Sequence, residues 1–145
     1  MDYTVYAKDL LRRKMMLENA YQAVREEMVA LENEKTACRS LSDSVPITGS
    51  GTNKYEERLV TIISKLEDAC YRKTSIEREL RLIGRGYKVL DEYEKGLLDG
   101  FFVHCEKCAA ESLMSKFFKE RSTIYEDRTK ALEKFTRSVY GLVKI

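Results

Sequence analysis

Residues 120–135 read ERSTIYEDRTKALEKF, and this stretch decides how the chain is read. Ser122 or Thr123 offers an N-cap, and Thr123 with Glu126 three residues on has the form of a capping box. Ile124, Ala131, Leu132, Phe135, Val139 and Leu142 then recur at helical spacing and form one apolar stripe, expected to face a core. The opposite face carries Arg121, Ser122, Tyr125, Glu126 and Thr129, with Lys130 toward one side. Upstream, Ala109–Phe117 is a short amphipathic segment with Ala110, Leu113, Met114 and Phe117 on one face. The segment Phe118-Lys119-Glu120 separates the two.

Two helices joined by so short a turn have the layout of a helix-turn-helix. In that motif the second helix lies in the major groove, and hydrogen-bonding side chains on its first turns read base edges. The candidate DNA-contacting residues are therefore Arg121, Ser122, Thr123, Tyr125, Glu126, Thr129 and Lys130. Tyr125 lies off the apolar stripe, where it can meet a thymine methyl or a phosphate.

Working back to Leu90, Glu94, Leu97-Leu98, Phe101-Phe102, Ala110, Leu113, Ile124 and Ala131-Leu132 give a segment that resembles region 4 of bacterial sigma factors. The whole chain is similar to small phage and prophage late-transcription regulators of the ArpU and RinA type, in which such a motif closes a chain of about this length. The resemblance implies that Arg121, Ser122, Tyr125 and Glu126 face DNA and that Lys130 touches a phosphate. It also implies activation of late genes and contact with RNA polymerase. No segment resembles the promoter-melting part of a sigma factor.

The remainder reads as long helices. Leu10, Leu17, Val24, Leu31 and Cys38 fall at seven-residue intervals, with Tyr21 and Met28 between them, so residues 3–38 carry a heptad seam. Residues 41–53, LSDSVPITGSGTN, hold the only proline and two glycines and are expected to form a flexible linker. Tyr55, Leu59, Ile62, Leu66, Ala69, Lys73, Ile76, Leu80 and Ile83 then continue at four and three without a slip. The expected architecture is all-α: residues 1–86 as a long antiparallel coiled-coil hairpin, then residues 87–145 as a small helix-turn-helix bundle. The same seams could instead pair between two chains. Asp91 with Glu94 marks a helix start, and Phe101, Phe102, Phe117, Ile124, Leu132 and Phe135 are expected to form the core of the bundle.

Composition agrees with long helices: the 145 residues include one Pro, seven Gly and no Trp, and 34% are charged. The formal net charge is only +2, which argues for weak duplex binding by a monomer, or for a homodimer that adds two modest patches. Arg78, Arg81, Arg85 and Lys88 form a basic run on the approach to the bundle, read mainly as a solvated face. No apolar run approaches membrane-spanning length and no N-terminal charged-then-apolar signal pattern leads to a cleavage site, so a soluble protein of the bacterial cytoplasm is expected. Four cysteines in a helical chain fit reduced thiols there.

Little in the sequence supports catalysis. One His, no nucleophile elbow and only fragments of phosphate-binding loops point to a non-enzyme with no cofactor and no small-molecule substrate. His104, Cys105 and Cys108 lack the second pair of ligands that zinc takes, so no metal is expected there. Near-neutral charge and the acids Glu126 and Asp127 favour a second reading, a protein-binding module that uses its coiled coil to block or adapt a host protein.

Overall fold

In the computed structural model the chain is all-α. Residues 1–44 and 51–145 are described, with side chains for 1–40 and 54–145. Among the described residues six α-helices follow one another: α1 (Tyr3–Arg12), α2 (Lys14–Ser44), α3 (Gly51–Lys88), α4 (Glu92–Leu98), α5 (Ala109–Phe117) and α6 (Arg121–Tyr140), with a π-helical turn at Asp99–Val103. The only extended pairing among the described residues is an isolated bridge between Asp2 and Lys144. No helix of the described residues is long and apolar enough to cross a membrane.

The chain divides into two compact units. One comprises Met1–Glu18 with Arg78–Ile145, and the other Asn19–Glu77. The expected boundary at 86/87 is thus replaced by two boundaries, and the first helix belongs with the C-terminal residues. Packing explains this. Leu10 was expected on the coiled-coil seam, but α1 buries Ala7, Leu10 and Leu11 together, a wider apolar stripe than a two-stranded seam requires. Burying two Leu side chains stabilises by roughly 3–6 kcal/mol. Asp2 caps this helix through Thr4 N–H at 2.9 Å, and the Tyr3 amide donates to the Val143 carbonyl at 2.9 Å.

The seam expected to run unbroken from Tyr3 to Cys38 is divided at Arg13, a turn residue between α1 and α2 whose backbone (φ −86°, ψ −6°) stays right-handed. The Arg13 guanidinium reaches both carboxylate oxygens of Glu79 at 2.9 Å. Beyond it the heptad positions are buried as expected: Leu17, Val24, Leu31 and Cys38 on α2, and Ile62, Ala69 and Ile83 on α3.

Within Asn19–Glu77, Leu31, Cys38 and Ile62 form a buried cluster with Tyr55, Leu59 and Leu66 against it. Tyr21 donates to Glu77 at 3.3 Å, Arg72 donates to both oxygens of Glu27 at 2.9 and 3.0 Å, and the Cys38 thiol donates to the Tyr55 carbonyl at 3.5 Å. Rising numbers on α2 therefore meet falling numbers on α3. The expected linker 41–53 is shortened at both ends, because α2 continues through Ser44 and α3 begins at Gly51. Residues 45–50, with Pro46, lie outside the described residues.

In the other unit the expected core forms and is enlarged. Leu97, Leu113 and Ile124 cluster with Tyr93, Phe101, Met114 and Phe117 around them. Phe102, Leu132 and Phe135 are buried as expected, whereas Phe101 and Phe117 are half-buried. Asp91 caps α4 with a complete capping box to Glu94. α3 runs through Gly84 and Gly86 to Lys88, and Gly86 lies against the Phe135 ring, closer than any side chain would allow. Ser138 Oγ donates to the Arg85 carbonyl at 3.1 Å, which fixes the last turns of α3 beside α6.

Candidate nucleic-acid interface

α5 buries Ala109, Ala110 and Leu113 and ends at Phe118, the sequence's Ala110-Leu113-Met114-Phe117 face being turned inward. Phe118 adopts left-handed backbone (φ 55°), so its amide and that of Lys119 both reach back to the Met114 carbonyl. This reversal does without the glycine usual at such a position. Glu120 then turns extended and α6 begins at Arg121. The expected cap at Ser122 or Thr123 is not formed, and neither is the Thr123–Glu126 capping box. Glu120 is the N-cap and makes no side-chain cap hydrogen bond. The reason is phase: fully buried Ile124 donates its amide to the Glu120 carbonyl at 3.0 Å, which sets Ser122 and Thr123 within the first turn of the helix, past the cap position.

α6 buries Ile124, Ala131, Leu132, Phe135, Thr136 and Val139. Leu142, expected on this stripe, lies past Gly141 (φ 83°), where the helix has ended, and is 39% exposed. Arg121, Ser122, Tyr125, Glu126, Thr129 and Lys130 are together on the exposed face, and Thr123 is half-buried apart from them.

These side chains differ in how free they are. Arg121 lies beside the Tyr125 hydroxyl and is bridged to Glu111 at 3.1 Å; both interactions raise its pKa. Thr129 donates its hydroxyl to the Tyr125 carbonyl at 3.1 Å, which occupies its proton. The Tyr125 ring is 5.7 Å from that of Phe101. Lys130 has no carboxylate within 4.0 Å among the described residues. Ser122 and Glu126 have no side-chain hydrogen bond among the described residues and are the most available polar groups of the set.

Two residues have roles that sequence reasoning missed. Arg128 stacks its guanidinium over Phe101 (4.8 Å), Tyr125 (4.9 Å) and Phe102 (5.9 Å), joining the π-helical turn to α6. A Phe-Phe pair and a Tyr three residues before an Arg were visible, but not their meeting in space. Asp127, read as an acid close to phosphates, is turned inward instead. Tyr93 donates to it at 2.8 Å and Lys119 at 3.4 Å, and the first of these chiefly holds its carboxyl below the usual range. Lys119 in turn lies 4.1 Å from the centre of the Tyr93 ring. Asp127 thus ties the turn to α4.

His104, Cys105 and Cys108 are exposed, and among the described residues no three His, Cys, Asp or Glu side chains form a group that could hold a metal ion. All four cysteines are free thiols.

What the fold defines is an all-helical chain in which the short α5 and the longer α6 are joined by a three-residue turn, with a polar face of α6 open to solvent. No protein-family model matches the chain, and no curated protein or solved structure matches it significantly.

Proposed function

We propose that this chain is a phage-type transcriptional regulator that binds double-stranded promoter DNA through α5 and α6 as a sigma-region-4-like helix-turn-helix. The observation that carries the reading is the three-residue turn followed by a helix whose first turns hold Arg121, Ser122, Tyr125, Glu126 and Thr129 open to solvent on one face. α2 and α3 act as an antiparallel coiled-coil hairpin that pairs two copies or engages a partner. Binding activates late genes in the bacterial cytoplasm, with RNA polymerase as a protein partner, and requires no catalysis, metal or cofactor. Glu126, an acceptor, suits the amino group of cytosine, and Tyr125 suits a thymine methyl.

A bind-and-sequence selection tests this: full-length protein with fragments of the encoding genome at moderate salt, with Arg121→Ala alongside. One short shared site, lost or relaxed in the variant, is the expected result. Equal recovery of DNA by both proteins would remove Arg121 from the interface.

A second reading is favoured by the Arg121–Glu111 and Lys119–Asp127 pairs, which neutralise cations near the turn. Under it the chain is a non-enzymatic protein-binding module and α2–α3 is the working surface. Failure to enrich any sequence, with co-purification of a host protein that releases on disruption of α2–α3, would favour it.

A further inference from the structure

Cations near the first turn of α6 are partly neutralised by carboxylates, so phosphate attraction must come from elsewhere if DNA binds. A groove of about 350 Å³ is lined by Val89, Lys130, Glu133, Lys134, Arg137 and Ser138. The hydrogen bond from Ser138 to the Arg85 carbonyl brings the backbone of α3 to its edge at Arg85, and both Arg85 and Lys88 belong to the last turn of that helix.

The charge here is concentrated. Lys130, Lys134 and Arg137 of the groove, with Arg85 and Lys88 on the last turn of α3, are opposed by Glu133 and by Glu94, which takes Lys134 at 3.0 Å. That local excess of three positive charges is larger than the +2 of the entire chain. Arg85, Lys88, Lys130 and Arg137 are exposed and have no carboxylate within 4.0 Å among the described residues. Lys130, Lys134 and Arg137 follow at four and three residues along one face of α6, so the row spans about 10 Å at 1.5 Å per residue. A duplex strand presents a phosphate about every 3.4 Å of axis, so such a row matches about three phosphates. A single small anion would use only one or two of these cations.

Resting on the DNA reading, we propose that this groove is a phosphate-binding surface, in which Arg85, Lys88, Lys130 and Arg137 clamp the backbone of the duplex whose bases α6 reads. Sequence choice and electrostatic affinity are then divided between the two halves of α6. The first turns carry selectivity and the C-terminal half, with the end of α3, carries the salt-dependent attraction.

The test uses full-length protein and two duplexes, the selected site and a mixed-sequence control, titrated from 50 to 200 mM salt. The expected result for Arg85→Gln with Arg137→Gln is a fall of about two in the slope of log affinity against log salt, from 0.9 per phosphate contact. Over that salt range the variant loses roughly tenfold less affinity than the unaltered protein, equally on both duplexes, and its preference for the selected site is retained. Circular dichroism establishes that it is folded, and Lys88→Gln with Lys130→Gln provides an independent pair. Unaltered slopes in both pairs, while the parent protein binds DNA, would overturn the groove proposal and leave the DNA reading intact. Absence of duplex binding by the parent protein would overturn both. Binding to phosphatidylserine vesicles without duplex binding would assign the cations to a membrane surface and equally overturn the proposal.

Discussion

Gly84 and Gly86 stand two residues apart in the same helix, yet the structure assigns opposite outcomes to the same substitution. Both are helical, so replacing either with Ala gains about 1 kcal/mol of helix propensity. At Gly84 a Cβ meets nothing within 4 Å, so the gain is realised. At Gly86 a Cβ would stand 2.2 Å from Phe135 Cε2 and 2.3 Å from Cδ2. These are overlaps with a ring that is fully buried and packed edge-on against Tyr87 at 5.9 Å between ring centres, leaving it nowhere to withdraw. Overpacking of this kind costs about 3 kcal/mol, the upper end of the ordinary range, so Gly86→Ala is expected to be net destabilising by about 2 kcal/mol.

Urea unfolding followed by far-ultraviolet circular dichroism measures both variants. Gly84→Ala should gain about 1 kcal/mol and Gly86→Ala lose about 2, a difference near 3 kcal/mol between neighbouring sites. In thermal melts, at about 2–4 °C per kcal/mol for a chain of this size, that separation is roughly 6–12 °C. Phe135→Leu should recover part of the Gly86→Ala loss when the two are combined, because the clash is with the ring; a cycle of the four proteins isolates that coupling. Equal stability of Gly84→Ala and Gly86→Ala would refute the docking of the last turns of α3 on α6, and with it the placement of Arg85 beside the basic groove.

Other outcomes are also specified. Phe118 is 93% exposed in left-handed backbone, which costs a side-chain-bearing residue roughly 1–2 kcal/mol; Phe118→Gly should therefore raise the urea midpoint, by up to about 1 kcal/mol after glycine's greater freedom in the unfolded chain is set against it. Leu11→Ala should cost about 2–5 kcal/mol and destabilise the unit formed by Met1–Glu18 with Arg78–Ile145, since α1 belongs to it; loss confined to unfolding of residues 19–77 would contradict that assignment. Burial, and then the hydrogen bond to Asp99, push the Tyr87 hydroxyl well above its ordinary value. The folded state thus favours the neutral phenol, its stabilisation is complete below about pH 10 and is lost as pH rises from there toward the folded value. Unfolding titrations between pH 9 and 11 should fall more steeply for the parent protein than for Tyr87→Phe. At the acid end, the Tyr93 hydroxyl and then Lys119 depress Asp127, whose contribution is present above about pH 4 and lost as pH falls through the depressed value. Asp127→Asn should flatten that part of the profile.

Heptad spacing is a local signal, and it carried the long helices well: Val24, Leu31, Cys38, Ile62 and Ala69 are buried where a period of three and four places them. The capping box at Asp91 and Glu94 was equally legible, because both partners lie within one turn. What the residues could not disclose were decisions made between distant segments. Leu10 fits the seam of α2 in sequence, but Ala7 and Leu11 give α1 a second buried edge, and hydrogen bonds from the backbone of Tyr3 and Ile145 tie the two ends of the chain together. Ser122 and Thr123 have the chemistry of a cap, yet the burial of Ile124 fixes the phase of α6 and begins the helix before them. Asp127 shows the consequence for function. Along the helix it is one more acid beside the exposed polar face, whereas in three dimensions Tyr93 and Lys119 draw it inward, leaving Glu126 as the carboxylate nearest the open surface on that turn. A net charge of +2 is an average over the whole chain. Once acids such as Asp127, Glu111 and Glu79 are engaged by their own partners, the exposed cations of α3 and α6 that meet no carboxylate among the described residues are free to attract an external polyanion although the chain is nearly neutral.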